Sequence, residues 1–144
     1  MIVIRLWHID LLPVLPKKQL VSQWRECVAI KRQWEKGTLK HPLVSYVMDY
    51  DKGYFLGYVI DLLKVFHIRE IKYDNKLLNE IIFFCMHGEV ACMKINYPEH
   101  NDRYLRQCYY NLQEKHDRGM IGEEEWIKIV ESEEIQRIIK NTAH

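Results

Sequence analysis

Lys17-Lys18-Gln19-Leu20-Val21-Ser22-Gln23-Trp24-Arg25-Glu26-Cys27-Val28 is the stretch on which the fold of this chain turns. Leu20, Trp24, Cys27 and Val28, continued by Trp34, fall close to the spacing of one helical face. Pro16 stands just before the stretch, and Gly37 supplies the stop. The pattern predicts a helix over residues 17–36 with Leu20, Trp24 and Cys27 turned to the core. Arg25 and Glu26 then sit at the margin of that stripe, not on the opposite face. A carboxylate at such a margin is partly desolvated yet reachable from a cleft, which suits it to proton transfer.

Working outward, Pro13 and Pro16 block a continuous helix over residues 1–16 and predict an extended N-terminal arm with at most one short turn. His41-Pro42 opens a short helix over Leu43 to Met48, proline being tolerated in a first turn. Tyr54, Phe55, Tyr58, Val59, Leu62, Leu63 and Phe66 form a broad apolar stripe that predicts a central core helix over residues 53–68. Leu77 to Met86 is apolar enough for another helix, although β-branched Ile81 and Ile82 are compatible with a strand; His87-Gly88 ends it. Asn101 is placed to cap a helix with Tyr104, Leu105, Cys108, Tyr109 and Leu112 on its buried side. Glu123-Glu124-Glu125 opens a last helix with acid at its positive end, with Trp126, Ile127 and Val130 inward. No repeat, linker or low-complexity tract interrupts the series. The expectation is an all-α, compact single-domain helical bundle with an extended N-terminal arm, spanning residues 1–144.

Composition agrees. The 144 residues are 48% hydrophobic and 28% charged, ordinary for a globular domain, and 6 Gly with 4 Pro leave little material for the turns of an all-β sandwich. A net charge of +1 neither favours nor excludes a nucleic-acid partner, so the local distribution matters. Lys17, Lys18, Arg25, Lys31, Arg32, Lys36 and Lys40 crowd the first third, and acidic residues from Glu123 to Glu134 dominate the tail. The first third can face a phosphate backbone, or both segments can be solvated helix surface. No apolar run approaches the length of a membrane span, and Arg5, His8 and Asp10 interrupt the apolar start, so a cytoplasmic protein with reduced thiols is expected. Cys27, Cys85, Cys92 and Cys108 contain no CxxC pair. A Cys85, His87, Cys92 cluster, or one of His41, Glu99 and His100, lacks any metal-site spacing, so no metal or cofactor is expected. Trp7, Trp24 and Trp34 are better read as core residues than as base-stacking platforms.

Three elements in order carry a resemblance: Arg5-Leu6-Trp7, the Leu20 to Glu26 helix with its Trp24-Arg25-Glu26 triplet, and His41-Pro42-Leu43. Together they resemble the pyrimidine-dimer DNA glycosylase family of the endonuclease V type, in particular its bacterial relatives. Tyr97-Pro98-Glu99-His100-Asn101 and the helix after it look like the family's late helix, which extends the resemblance to about residue 118. The resemblance implies binding of damaged or abasic duplex DNA and attack by the N-terminal α-amine on the sugar C1′, followed by imine formation and β-elimination. It implies that Glu26 is the assisting carboxylate, with Arg25 orienting it or holding a phosphate. Arg5, Lys17, Lys18, Lys31 and Arg32 are the expected DNA-backbone contacts.

The departures are specific. Ile2, Val3 and Ile4 precede Arg5, where relatives start immediately before the Arg-Leu-Trp element. Gln19 occupies the position of a family histidine, Val28 and Ala29 stand where an arginine is expected, and the acidic tail replaces a basic, aromatic one. The alternative is a non-catalytic relative that keeps the scaffold as a nucleic-acid or protein binding module. The placement of the amine relative to Glu26 discriminates the two.

Overall fold

The computed structural model describes residues 4–86 and 96–142. Every regular element among the described residues is helical, so the chain is all-α. The α-helices are α1 (Lys17–Lys36), α2 (Lys52–Ile68), α3 (Asn75–Met86), α4 (Asp102–Asp117), α5 (Glu123–Val130) and α6 (Glu133–Thr142); Ile9–Val14 and Ser45–Asp49 are 3-10 helices. Contacts group the chain into two compact units. One comprises the chain up to Leu6 together with Val21–Tyr97; the other comprises Trp7–Leu20 and the chain from Pro98 onward.

In the first unit α1 runs to Lys36, as its apolar spacing predicts. Gly37 ends it at φ 72°, a left-handed conformation that glycine adopts without a Cβ penalty. The Thr38 N–H then donates to the Gln33 carbonyl at 2.8 Å, satisfying one of the orphan acceptors of the helix end. α2 starts one turn after the 3-10 helix because the Asp51 carboxylate accepts the Gly53 N–H at 2.7 Å. It buries Phe55, Leu56, Val59, Leu62, Leu63 and Phe66 and is apolar nearly all round, the signature of a central helix. Each such large side chain contributes about 1.5–3 kcal/mol when fully removed from water. α3 packs against α2. The strand alternative for residues 77–86 gives way because the segment buries Ile81, Phe84 and Cys85 at helical spacing. Trp34 of α1 meets Phe55 and Phe84 edge-on, with ring centroids at 6.0 and 5.4 Å. The segment expected as a helix over Leu43 to Met48 is instead a five-residue 3-10 helix beginning at Ser45. So short a stretch cannot recover the cost of nucleating an α-helix. The expected stop at His87-Gly88 lies outside the described residues.

In the second unit the N-terminal arm is more structured than one short turn. Ile9–Val14 is a 3-10 helix containing Pro13, and it buries Leu11 and Leu12. Two imidazoles make it possible by accepting N–H groups that a helix start leaves unpaired. His8 Nδ1 accepts the Asp10 N–H at 3.1 Å, and His100 Nδ1 accepts the Ile9 N–H at 3.0 Å. The Asn101 side chain caps α4 by accepting the Tyr104 N–H at 3.0 Å, as the sequence pattern predicts. Arg137 of α6 makes a two-pronged bond to Asp102 in the first turn of α4, at 2.6 and 2.9 Å. On α5 the expected inward residue Ile127 is 48% exposed, and Ile129 is the buried one. The helix turns Ile129 inward, and a residue two positions away falls on a different face.

Burial holds His100 far below the ordinary imidazole range, at about 3, with the neighbouring His8 charge acting in the same direction. Burial also lowers His8, partly offset by Asp10, by Asp102 and by the backbone at His100 and Asn101. Both rings are therefore neutral in the fold, consistent with Nδ1 serving as an acceptor in each. The unfolded chain binds protons below about pH 6.5 where the folded chain does not, so stability is full above that pH and falls toward about pH 3. Asp102, held below the usual carboxylate range chiefly by its hydrogen bond from Arg137, adds a further loss at the acid end. Thermal denaturation followed between about pH 7 and pH 4.5 should show this decline. His100→Gln, which keeps an acceptor for the Ile9 N–H but does not titrate, should show a shallower one. Equal slopes for the two proteins would contradict the assignment.

Candidate active site around Glu26

Glu26 lies on α1, half-buried, at the margin of the stripe formed by buried Trp24 and Cys27. One turn earlier is Gln23, which is fully buried. Its amide nitrogen donates to the Arg5 carbonyl at 2.8 Å and to the Glu26 carboxylate at 3.1 Å. Its amide oxygen accepts from the Tyr58 hydroxyl of α2 at 2.9 Å. A backbone carbonyl and an ionised carboxylate can only accept, so the nitrogen must face them and the oxygen must face Tyr58. These bonds dictate the orientation of the amide. One buried side chain brings the arm at Arg5, the candidate carboxylate and the central helix α2 to a single point.

The electrostatics of the site show next door. The Cys27 thiol is pushed well up, first by complete burial and then by the Glu26 charge. It is therefore a protonated packing group and not a nucleophile. Cys85 is likewise pushed up to about 12, chiefly by burial. Cys27, Cys85 and Cys108 are buried, while Cys92 and His87 lie outside the described residues. Among the described residues no group of three or more His, Cys, Asp or Glu side chains gathers as a metal site.

The expected cations are placed unequally. Arg25 and Arg32, seven residues apart on α1, are exposed, and Lys36 continues that exposed face one turn on. Arg5 is half-buried, in the same unit as Glu26. Lys17 and Lys18 are exposed in the first turn of α1, which belongs to the second unit, and the Lys17 N–H donates to Glu125 at 3.0 Å. Lys31 is only 8% exposed, and its amine is bonded to Glu35 at 3.1 Å. Trp24 packs edge-on to Tyr73 with centroids at 5.6 Å, and Trp7 is buried, in keeping with a core role. Gln19 is buried as well. Gln23 and Tyr58 escaped the sequence reading as site residues. The available signal was a glutamine three residues before Glu26 on the buried side of the helix, and a core tyrosine whose hydroxyl requires a partner.

A family model described as pyrimidine dimer DNA glycosylase matches residues 4–79. The chain belongs to this family. The match begins at the arm, covers Arg5, Gln23, Glu26 and Tyr58, and ends within α3. The resemblance read further along, from Tyr97 to about residue 118, lies outside the match. No curated protein and no solved structure gives a significant match. Among the described residues no helix of this pyrimidine dimer DNA glycosylase family member is long and apolar enough to cross a membrane.

Burial separates the cations experimentally. Arg25→Ala and Arg32→Ala remove exposed side chains and should change unfolding free energy by less than about 0.5 kcal/mol in chemical denaturation. Lys31→Ala removes a buried stem and its pairing with Glu35, and should cost about 1–2 kcal/mol. Comparable losses for all three would show that Arg25 and Arg32 have structural roles.

Proposed function

We propose that this chain is a DNA glycosylase with abasic-site lyase activity, acting on damaged or abasic duplex DNA through its N-terminal amine and Glu26. Family membership supports the glycosylase class. The observation that carries the finer reading is the shared bonding of Gln23 to the Arg5 carbonyl and the Glu26 carboxylate, which draws the amino-terminal arm against a helix-borne acid. Residues 1–3 lie outside the described residues, and the description of the arm begins at Ile4.

In this reading a neutral α-amine, whose ordinary pKa of about 7.7–8.0 leaves a useful unprotonated fraction near neutrality, attacks the sugar C1′. The new N–C1′ bond forms as the bond to the damaged base breaks, and the base leaves with the electron pair and a proton. One proton of the resulting ammonium passes to O4′ as the C1′–O4′ bond opens, which gives a cationic imine and a free O4′ hydroxyl. The Glu26 carboxylate stabilises that cation and accepts a proton from C2′; the electrons released expel the 3′ phosphate and break the strand. Water then hydrolyses the imine and frees the amine. At an abasic site the same imine forms from the sugar aldehyde with loss of water.

Arg25 orients the carboxylate or holds a phosphate, and Arg5, Lys17, Lys18 and Arg32 contact the DNA backbone. Buried and paired, Lys31 adds its charge to this face without reaching out from it. Unstacking the target nucleotide costs a few kcal/mol, least where damage has already weakened pairing.

Borohydride reduction of the protein on abasic-site duplex should trap a covalent adduct at the N-terminal residue. Glu26→Gln should abolish strand cleavage. The absence of an adduct both for the 144-residue chain and for one trimmed to begin at Arg5 would overturn the lyase assignment. Salt-dependent duplex binding without adduct or nicking would then identify a binding module. Arg25→Ala combined with Arg32→Ala should lower the slope of log affinity against log salt by about 2.

A further inference from the structure

We infer that Gln23 is a positioning residue: it clamps the arm at Arg5 against the Glu26 carboxylate, so that one buried amide fixes the candidate carboxylate relative to the arm backbone at Arg5. The inference rests on the reading of Glu26 as the assisting carboxylate and adds a residue that does not itself touch substrate.

The geometry leaves Gln23 little freedom. Its nitrogen has two protons, and each has an acceptor: the Arg5 carbonyl at 2.8 Å and the Glu26 carboxylate at 3.1 Å. Its oxygen is held by the Tyr58 hydroxyl at 2.9 Å, within the buried interior. Flipping the amide would place an oxygen against a carbonyl and a carboxylate, and an N–H group against a hydroxyl. The two bonds of the nitrogen would become oxygen–oxygen repulsions, a costly exchange even though the hydroxyl can accept an N–H group. The arm therefore cannot slide past α1 at Arg5 without breaking the bond from the Gln23 amide, and the Glu26 side chain cannot rotate away without breaking its own bond to that amide. A backbone carbonyl of the arm and a carboxylate on α1 thus share one donor group. Positioning of this kind matters because small misplacements of reacting groups carry large rate penalties.

The clamp also bears on the charge of Glu26. A hydrogen bond donated to a carboxylate favours its ionised form. Around Glu26, the Cys27 thiol feels its charge, and the Tyr58 hydroxyl is linked to it through the Gln23 amide. Removing the Gln23 donor should raise the pH at which Glu26 takes up a proton. A residue that only filled space would have no such effect.

The test is a carbon-13 NMR titration of the Glu26 carboxyl in the intact chain, in the wild type and three variants. Gln23→Met preserves length and apolar bulk and donates nothing; its Glu26 midpoint should rise by about one pH unit. Tyr58→Phe leaves the amide in place but unlocks it, and should raise the midpoint by less. Phe66→Leu, a packing loss elsewhere on α2, should leave it unmoved. Where Gln23→Met does not fold, Tyr58→Phe against Phe66→Leu decides. A midpoint unchanged in the Gln23 and Tyr58 variants, or raised equally in Phe66→Leu, would overturn the inference. In strand-cleavage assays Gln23→Met should lower kcat by about ten- to a hundredfold with little change in KM, and move the acid limb of the pH profile upward. A wild type that neither traps nor cleaves DNA would overturn the lyase reading, while the titration would still decide the clamp.

Discussion

A buried side-chain amide must find partners for both of its protons and for its oxygen, and at Gln23 that requirement ties the first unit together. The cost of leaving any one of these groups unpaired away from water is about 1–3 kcal/mol. The arm at Arg5, Glu26 on α1 and Tyr58 on α2 meet that requirement jointly. The consequence is directional: apolar packing alone tolerates small slips, whereas a three-point hydrogen-bonded amide does not. The candidate catalytic carboxylate takes its position from the same bonds that hold the arm.

The second unit solves a related problem with histidines. A 3-10 helix that contains proline has little cooperative stability of its own, and Ile9–Val14 persists because two neutral imidazoles accept its opening N–H groups. Burial keeps both rings uncharged. Since a protonated ring cannot accept at Nδ1, the arm is held by groups whose bonding depends on their remaining neutral. Each unit thus holds part of the N-terminal arm by buried polar side chains, and apolar burial adds bulk stability around them.

The placement of the cations refines the functional reading without altering its class. Exposed Arg25, Arg32 and Lys36 leave charge on the outer face of α1, whereas the Lys31 side chain is buried and paired with Glu35. A cluster of basic residues in sequence therefore overstates the charge available for direct contact. Helical geometry sorts such a cluster into faces, and only the outward one is available to a polyanion.

Much of this was legible in the sequence because it is local. Leu20, Trp24 and Cys27 at helical spacing, Gly37 after them and Asn101 before α4 determine helices and their ends through interactions within a few residues, and the Arg5, Trp24-Arg25-Glu26 and His41-Pro42 series marks the family. Short elements were less legible. The 3-10 helices at Ile9–Val14 and Ser45–Asp49, and the choice of Ile129 over Ile127, depend on which neighbours pack against them. The site divides the same way. That Glu26 is a helix-margin carboxylate follows from spacing alone. That Gln23 joins it to Arg5 and Tyr58 was decided only by the tertiary structure, because those partners lie 18 and 35 residues away. No local pattern encodes which distant hydroxyl and which carbonyl will satisfy a buried amide.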